Sequence, residues 1–347
     1  MIPRAESVTV AVGLILMNST CSFGQSSSVA TLRVELQNLV YYVIDTPDFS
    51  KFGTNANLTP SDFRCTGPSF GGNLGNRLMG IGDIVAVNGQ PARGTYTASG
   101  FSLCLSPDPT PGQPIAATTA GPALQETYDL QQSDGTPVGS IMTNGLRGVA
   151  PSPPGLPAGN QNFAIVGGTG AFLGVRGQTS NAMQGLGSAA VDPRSASITE
   201  DPANRRTNGG GHVVVTLYVI PESRPEIAVT AGAAAITHAD DLSLVNAARP
   251  AVAGEVLSLF ATGLGPTRPG LRPGQPFPSD PPAVVNSPLD VTVNGKSAEV
   301  VAAVGYPGSL DGYQVDFRLP PDTAKGTASI QASAAWISGA PVSIPVQ

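Results

Sequence analysis

Short runs in which apolar and polar residues alternate recur along the first two thirds of the chain, and turn-forming residues separate them. The first run covers residues 31–45 and reads TLRVELQNLVYYVID. Alternation with a period of two indicates a strand with one buried face. The residues on its apolar parity are Leu32, Val34, Leu36, Asn38, Val40, Tyr42 and Ile44.

Further strand-like runs follow, and turn dipeptides join several of them. Asn88-Gly89 and Asp134-Gly135 are the dipeptides typical of tight β-hairpins. The remaining runs cover residues 81–88, 93–105, 124–130, 138–146 and 212–220. About eight strands result over residues 30–221, which is the number that closes a small antiparallel barrel.

Residues 163–177 read FAIVGGTGAFLGVRG, a short apolar run that breaks on a glycine pair before a second run begins. Glycine tolerates positive φ, so the pattern predicts a tight corner between two strands. A dinucleotide-binding loop is excluded, because the spacing of Gly168, Gly170 and Gly174 is one residue too long and no helix pattern follows.

This stretch resembles the GGTG-x-F-x-x-(A/V)-RG signature of the allene oxide cyclase and dirigent families, and the likeness extends loosely over residues 30–221. The resemblance implies an eight-stranded antiparallel barrel that binds apolar ligands, with a cofactor-free isomerase, cyclase or dirigent activity. Arg176 occupies the arginine of the motif, whereas Ala171 stands where an acidic residue would favour that activity.

The C-terminal third resembles the uncharacterised immunoglobulin-like domain recurrent in exported proteins of Acidobacteria. The pieces LVNAA, GEVLSLFATGLGP, VTVNGKSAEVV and YQVDFRLPPDTAKGTASIQ carry the likeness. It implies an immunoglobulin-like β-sandwich over residues 240–347, joined to the barrel by a linker at 222–239. Adhesion, carbohydrate contact or tethering is the expected role, and a passive spacer is the alternative. Trp336 is the single tryptophan, for which packing is expected rather than sugar binding.

Composition supports two all-β domains. In 347 residues there are 42 glycines and 33 prolines, while charged residues make up only 12%. The net charge of −6 is scattered, so the chain lacks the basic stripe of a nucleic-acid-binding protein.

Residues 1–24 have the pattern of an export signal: an apolar run after Arg4, then small and polar residues. Lipidation of Cys21 is the alternative to its removal. Export places the protein outside the cell, at the cell surface or in the periplasm, without a permanent membrane span. Cys65 and Cys104 then remain as a pair, for which a disulfide is favoured over a metal site or a nucleophile.

The sequence does not contain the motifs of a hydrolase or a zinc enzyme, since His212 and His238 are its only histidines and neither belongs to such a motif. Neither a metal nor a cofactor is predicted. Polar residues on apolar strand faces are the candidates for ligand contact, because a group inside a barrel must find a partner. The candidate ligand-binding residues are Asn38, Tyr42, Glu126 and Tyr128 inside the barrel and Arg176 near its mouth.

Glu126 is the most informative candidate. Burial among Leu124, Tyr128 and Leu130 would raise its pKa and suit it to acid or base catalysis. Alternatively, Glu126 pairs with Arg176, Arg93 or a backbone amide and only fixes strand register, or its strand face points to solvent. The sequence therefore predicts an exported, non-catalytic binding or cell-surface interaction protein whose barrel holds a small apolar ligand. The alternative is an allene oxide cyclase-like isomerase or a dirigent-like protein acting on a hydrophobic substrate.

Overall fold

The computed structural model describes residues 29–43, 77–104, 120–146, 163–184, 191, 193–197, 199–230, 232–272 and 274–347. Strands dominate this part of the chain, and its helical structure amounts to short 3₁₀ turns and one α-helix, Arg205–Asn208. The expected all-β class is confirmed.

Eight strands of the N-terminal half form a closed barrel in which each strand is antiparallel to both of its barrel neighbours. They are β1 (Ala30–Val43), β2 (Arg77–Val87), β3 (Gln90–Cys104), β4 (Ala120–Gln132), β5 (Pro137–Leu146), β6 (Ala164–Gly168), β7 (Arg176–Gln184) and β9 (Gly211–Ile220). Strands β1 to β7 pair in chain order, β7 pairs with β9, and β9 returns to β1. The short β8 (Arg194–Ser197) runs parallel to the end of β1 outside this ring. The predicted eight-stranded antiparallel barrel is therefore confirmed.

The predicted hairpins have the local geometry that their residues favour. Asn88 and Gly89 join β2 to β3 with φ of 52° and 78°, the two positive values of a type I′ turn. In β4 the side chains alternate as the pattern requires: Leu124, Glu126, Tyr128 and Leu130 are buried. Tight turns thus join β2 to β3 and β4 to β5, and the period of two places the inner residues of β4.

Strand β1 departs from the simple alternation at Asn38. Its pairing with both neighbours shifts register there, and Asn38 has a φ of 53°. Leu36 faces the barrel core before this bulge, whereas Leu39 and Tyr41 face it afterwards. A bulge adds one residue and reverses the faces of the residues after it. Asn38 and Tyr42 therefore do not share the inner face of Leu36, contrary to the expected single parity.

The C-terminal half is a second antiparallel β-structure with its own hydrophobic core. Its joined strands are β10 (Glu226–Ile227), β13 (Ile236–His238), β14 (Val256–Thr262), β15 (Thr267–Arg268), β16 (Val284–Val285), β17 (Leu289–Val293), β18 (Lys296–Gly305), β19 (Tyr313–Arg318), β20 (Gly326–Ala334), β21 (Ile337–Ser338) and β22 (Val342–Val346). A separate pair, β11 (Val229–Thr230) with β12 (Ala233–Ala234), lies between β10 and β13.

The segment expected to be a linker, residues 222–239, contains β10 to β13. Both β10 and β13 pair with β14, and Ile227 and Ile236 are buried in the second core. This segment is therefore part of the C-terminal half, because it supplies edge strands and core side chains.

The two halves contact each other through the turn between β20 and β21. Ala335 and Ile337 are each 3% exposed and belong to the hydrophobic cluster of the barrel, and Trp336 packs against it. The Gln132 side chain donates a 2.8 Å hydrogen bond to the Asn286 carbonyl oxygen. The turn therefore acts as a plug at one end of the barrel.

Candidate functional site: a buried carboxylate in the barrel

Glu126 lies on the inner face of β4 and is only 6% exposed. Three hydroxyl groups donate hydrogen bonds to its carboxylate. The Tyr96 hydroxyl lies 2.8 Å from Oε1, and those of Tyr128 and Thr143 lie 2.9 Å and 3.1 Å from Oε2. A buried carboxylate that accepts several hydrogen bonds is well solvated by the protein itself.

Strand register brings these groups together. Glu126 stands opposite Ala98 on β3 and Thr143 on β5, and Tyr96 stands opposite Tyr128. The small side chain of Ala98 leaves room for the carboxylate between the two neighbouring strands. The rings of Tyr96 and Tyr128 pack at a centroid distance of 5.1 Å and an angle of 55°. Sequence reasoning found Glu126 and Tyr128 but missed Tyr96 and Thr143, which only the strand register reveals.

The tyrosines of this cluster act as hydrogen-bond donors. Burial and the nearby charge of Glu126 raise the pKa of Tyr96 and Tyr128 well above 10. Tyr41 hydrogen bonds with Tyr96 and extends the network to β1. Both phenols therefore stay protonated at neutral pH and hold the carboxylate in place.

The barrel around this cluster is filled by side chains. Leu36, Tyr128, Ile141, Phe163 and Leu217 all have 0% exposure. The side chains bonded to the carboxylate are nearly as well buried, since Tyr96 and Thr143 are each 2% exposed. In the described part of the barrel, Glu126 is thus packed among its neighbours, and the carboxylate could accept a proton only from a molecule that displaced them.

Asn38 and Tyr42 lie away from this cluster. The Asn38 side chain donates a 2.9 Å hydrogen bond to Asp83, which also binds Arg205 and Arg206. Burial alone would raise the pKa of Asp83, but hydrogen bonds from Arg206, Asn38 and Arg205 outweigh it and lower the pKa to about 2.

Tyr42 lies on the outer face of β1, where it pairs with the exposed Met79 on β2 and with Ala196 on β8. It is 1% exposed, and burial followed by the charge of Glu200 raises its pKa above 10. Asn38 and Tyr42 thus help to hold the segment around β8 against the barrel wall, and a role for either in ligand binding stays a prediction.

Arg176 begins β7 and is exposed, and its side chain makes no hydrogen bond or ion pair with any other described residue. It does not join the Glu126 cluster. The motif that precedes it forms the expected corner between β6 and β7, because a 3₁₀ turn at Gly170–Phe172 follows β6 directly.

Packing explains one glycine of the pair at this corner, Gly168. A Cβ atom on Gly168 would lie 2.4 Å from the Phe172 carbonyl oxygen and 2.6 Å from that of Ser140, whereas one on Gly167 would meet nothing within 4 Å. Thr169 fixes the loop by bonding its hydroxyl to that of Ser140 at 2.7 Å. The motif is thus a structural corner.

Other candidate chemistry is sparse in the part of the chain described. His212 contacts Glu35 at 2.8 Å on the barrel and His238 contacts Glu255 in the second half. No group of three or more potential metal ligands occurs among the described residues. Cys65 lies outside them, and Cys104 is described only as the end of β3, so the disulfide stays a prediction.

No protein family model matches the chain, and comparisons with curated proteins and with solved structures likewise find no match. Across the described residues, no helix has the length and apolar character needed to cross a membrane. The functional argument therefore depends on the side chains of this protein alone.

Proposed function

We propose that this chain is an exported, non-catalytic protein whose barrel is a filled scaffold and whose contacts with a partner are made by its surface. The observation that carries the proposal is the packing around Glu126, where the carboxylate and the side chains bonded to it are at most 6% exposed. An enzyme or carrier for an apolar substrate needs a pocket of several hundred Å³. The inner strands instead supply large side chains such as Phe163 and Tyr128.

The Glu126 cluster then has a structural role. A carboxylate with three hydroxyl donors, each from a defined strand position, is satisfied only when β3, β4 and β5 pair in one register. A one-residue slip would bury those polar groups without partners, at a cost of about 1–3 kcal/mol each. The cluster thus favours one strand pairing over its alternatives.

Export, the allene oxide cyclase and dirigent resemblance of the barrel and the immunoglobulin-like character of the C-terminal half belong to this proposal. The sequence patterns support them: the apolar run after Arg4, the GGTG motif and the strand pieces after residue 240. In this account the second half contacts a cell-surface or extracellular partner.

A second candidate function is a dirigent-like or isomerase activity on a hydrophobic substrate. The observation that favours it is the same cluster, since a carboxylate hydrogen bonded to two phenols could exchange protons with a bound substrate. This activity requires Tyr96 or its neighbours to move aside.

Native mass spectrometry separates the two functions. The exported protein is incubated with a mixture of long-chain fatty acids and plant-type phenols, desalted and weighed intact. Our proposal predicts the mass of the protein without a bound molecule. A retained fatty acid or phenol that is lost in Glu126→Gln would instead support the second function and contradict a filled scaffold.

A further inference from the structure

A polar cleft of about 280 Å³ lies between the barrel and the C-terminal half, beside the plug turn. Its volume is near the lower end for small-molecule sites, about 300 Å³. The residues that define its chemistry are Asn88, Gln90, Asp290, Ser333, Trp336 and Ser338. They come from the β2–β3 hairpin, β17 and the β20–β21 hairpin, so the cleft exists only where both halves meet.

Trp336 is held rigidly at the edge of this cleft. It has a φ of 61° and the preceding Ala335 a φ of 50°, values that cost conformational energy in residues other than glycine and persist only where surrounding packing fixes them. The burial of Ala335 and Ile337 in the barrel cluster supplies that packing. Trp336 is half-buried, packs against the barrel cluster and lines the cleft, so it combines a fixed position with partial exposure.

Two polar side chains of the cleft are available to a ligand, whereas the Ser333 hydroxyl already donates a 3.0 Å hydrogen bond to that of Ser338. The side chains of Gln90 and Asp290 have no hydrogen-bond partner in the part of the chain that the structure describes. The Asn88 Oδ1 atom accepts a 2.8 Å bond from the Arg33 amide, which orients the Asn88 amide group and leaves its Nδ2 atom only a 3.5 Å contact with the Trp336 carbonyl oxygen. The cleft therefore offers amide, carboxylate and hydroxyl groups, with both donors and acceptors.

We propose that this cleft binds a neutral saccharide. A sugar ring has an apolar face of C–H groups that packs on an indole, and hydroxyls at its edge that both donate and accept hydrogen bonds. An apolar ligand would leave Gln90 and Asp290 desolvated without partners. An anionic ligand would meet the Asp290 carboxylate, and no Arg or Lys side chain lines the cleft. The proposal holds whether or not the barrel is catalytic.

The single tryptophan of the chain makes the test direct, because intrinsic emission reports on this cleft alone. The full-length exported protein is titrated with cellotetraose, chitotetraose and maltotetraose to about 10 mM, enough to detect a Kd of about 1 mM. At least one of these sugars should shift the Trp336 emission saturably. Glucuronic acid and a long-chain fatty acid, the charged and apolar comparison ligands, should not.

Variants locate the site. Calorimetry should show sugar binding about fivefold weaker in Gln90→Ala, the effect of losing one neutral hydrogen bond. Binding should be lost in Trp336→Ala and largely kept in Trp336→Phe, which retains a ring. The control is Gln125→Ala, an exposed glutamine on the outside of β4, which should bind as the parent does.

The proposal is overturned if none of the three sugars shifts the emission, or if binding is unchanged in both Gln90→Ala and Trp336→Ala. It is also overturned if the fatty acid alone shifts the emission. If Trp336→Ala does not fold, the sugar affinity of Gln90→Ala compared with that of Gln125→Ala tests the proposal.

Discussion

Replacing Glu126 by Leu tests how the barrel core is held together. The change removes the acceptor of three buried hydroxyls, those of Tyr96, Tyr128 and Thr143. At about 1 kcal/mol for each hydroxyl left unsatisfied, the low end for a rotatable donor, the loss is about 3 kcal/mol. Added apolar burial returns about 1 kcal/mol. We expect Glu126→Leu to lower the free energy of unfolding by about 2 kcal/mol.

A compensated variant isolates the cause. Adding Tyr128→Phe and Thr143→Val to Glu126→Leu removes donors together with their acceptor, a change that is nearly neutral when shape is kept. The triple variant should therefore recover most of the stability lost in the single one. Urea unfolding followed by far-UV circular dichroism and by Trp336 emission measures both. The reasoning is refuted if Glu126→Leu is as stable as the parent, or if the triple variant is no more stable than the single one.

Three further predictions concern the corner, the outer wall and the cysteines. Gly168→Ala should lower the free energy of unfolding by about 1–3 kcal/mol, because its methyl group would overlap two carbonyl oxygens. The control Gly167→Ala should leave it unchanged, because its methyl group has open space. Equal effects of the two substitutions would contradict the packing. The folded pKa of Asp83, about 2, is below its ordinary value, so its stabilisation is present above about pH 4 and is lost as pH falls toward 2. Asp83→Asn should lower the free energy of unfolding by about 1 kcal/mol at pH 7, after solvent screening is allowed for. It should also make the free energy of unfolding less dependent on pH between about pH 4 and 2. The same pH dependence in the variant as in the parent would refute this. Mass spectrometry of the unreduced protein after periplasmic expression should show Cys65 linked to Cys104, and two free thiols would contradict the predicted disulfide.

The strands and hairpins of the barrel could be predicted because their signals are local. Asn88-Gly89 needs only its own two residues to form a type I′ turn, and the alternation of β4 follows from four side chains. Glu126 and Tyr128 lie on that face, so their burial could be foreseen. The corner at Gly168 was equally local.

The rest depended on register and on contacts between distant segments. The bulge at Asn38 exchanges the inner and outer faces of β1 for the residues after it. The alternating pattern of the run does not predict this bulge. Tyr96 and Thr143 reach Glu126 only because β3 and β5 pair with β4 in one register. The short strands β10 and β13 form because β14 is available as a partner, which their own pattern does not reveal.

A crystal structure of the full chain grown with a saturating mixture of fatty acids and phenols tests the filled barrel most directly. The account predicts electron density in which the Tyr96 and Tyr128 hydroxyls remain bonded to Glu126, with no bound molecule between them. Density for a fatty acid or phenol inside the barrel, within hydrogen-bond distance of the Glu126 carboxylate, would contradict it.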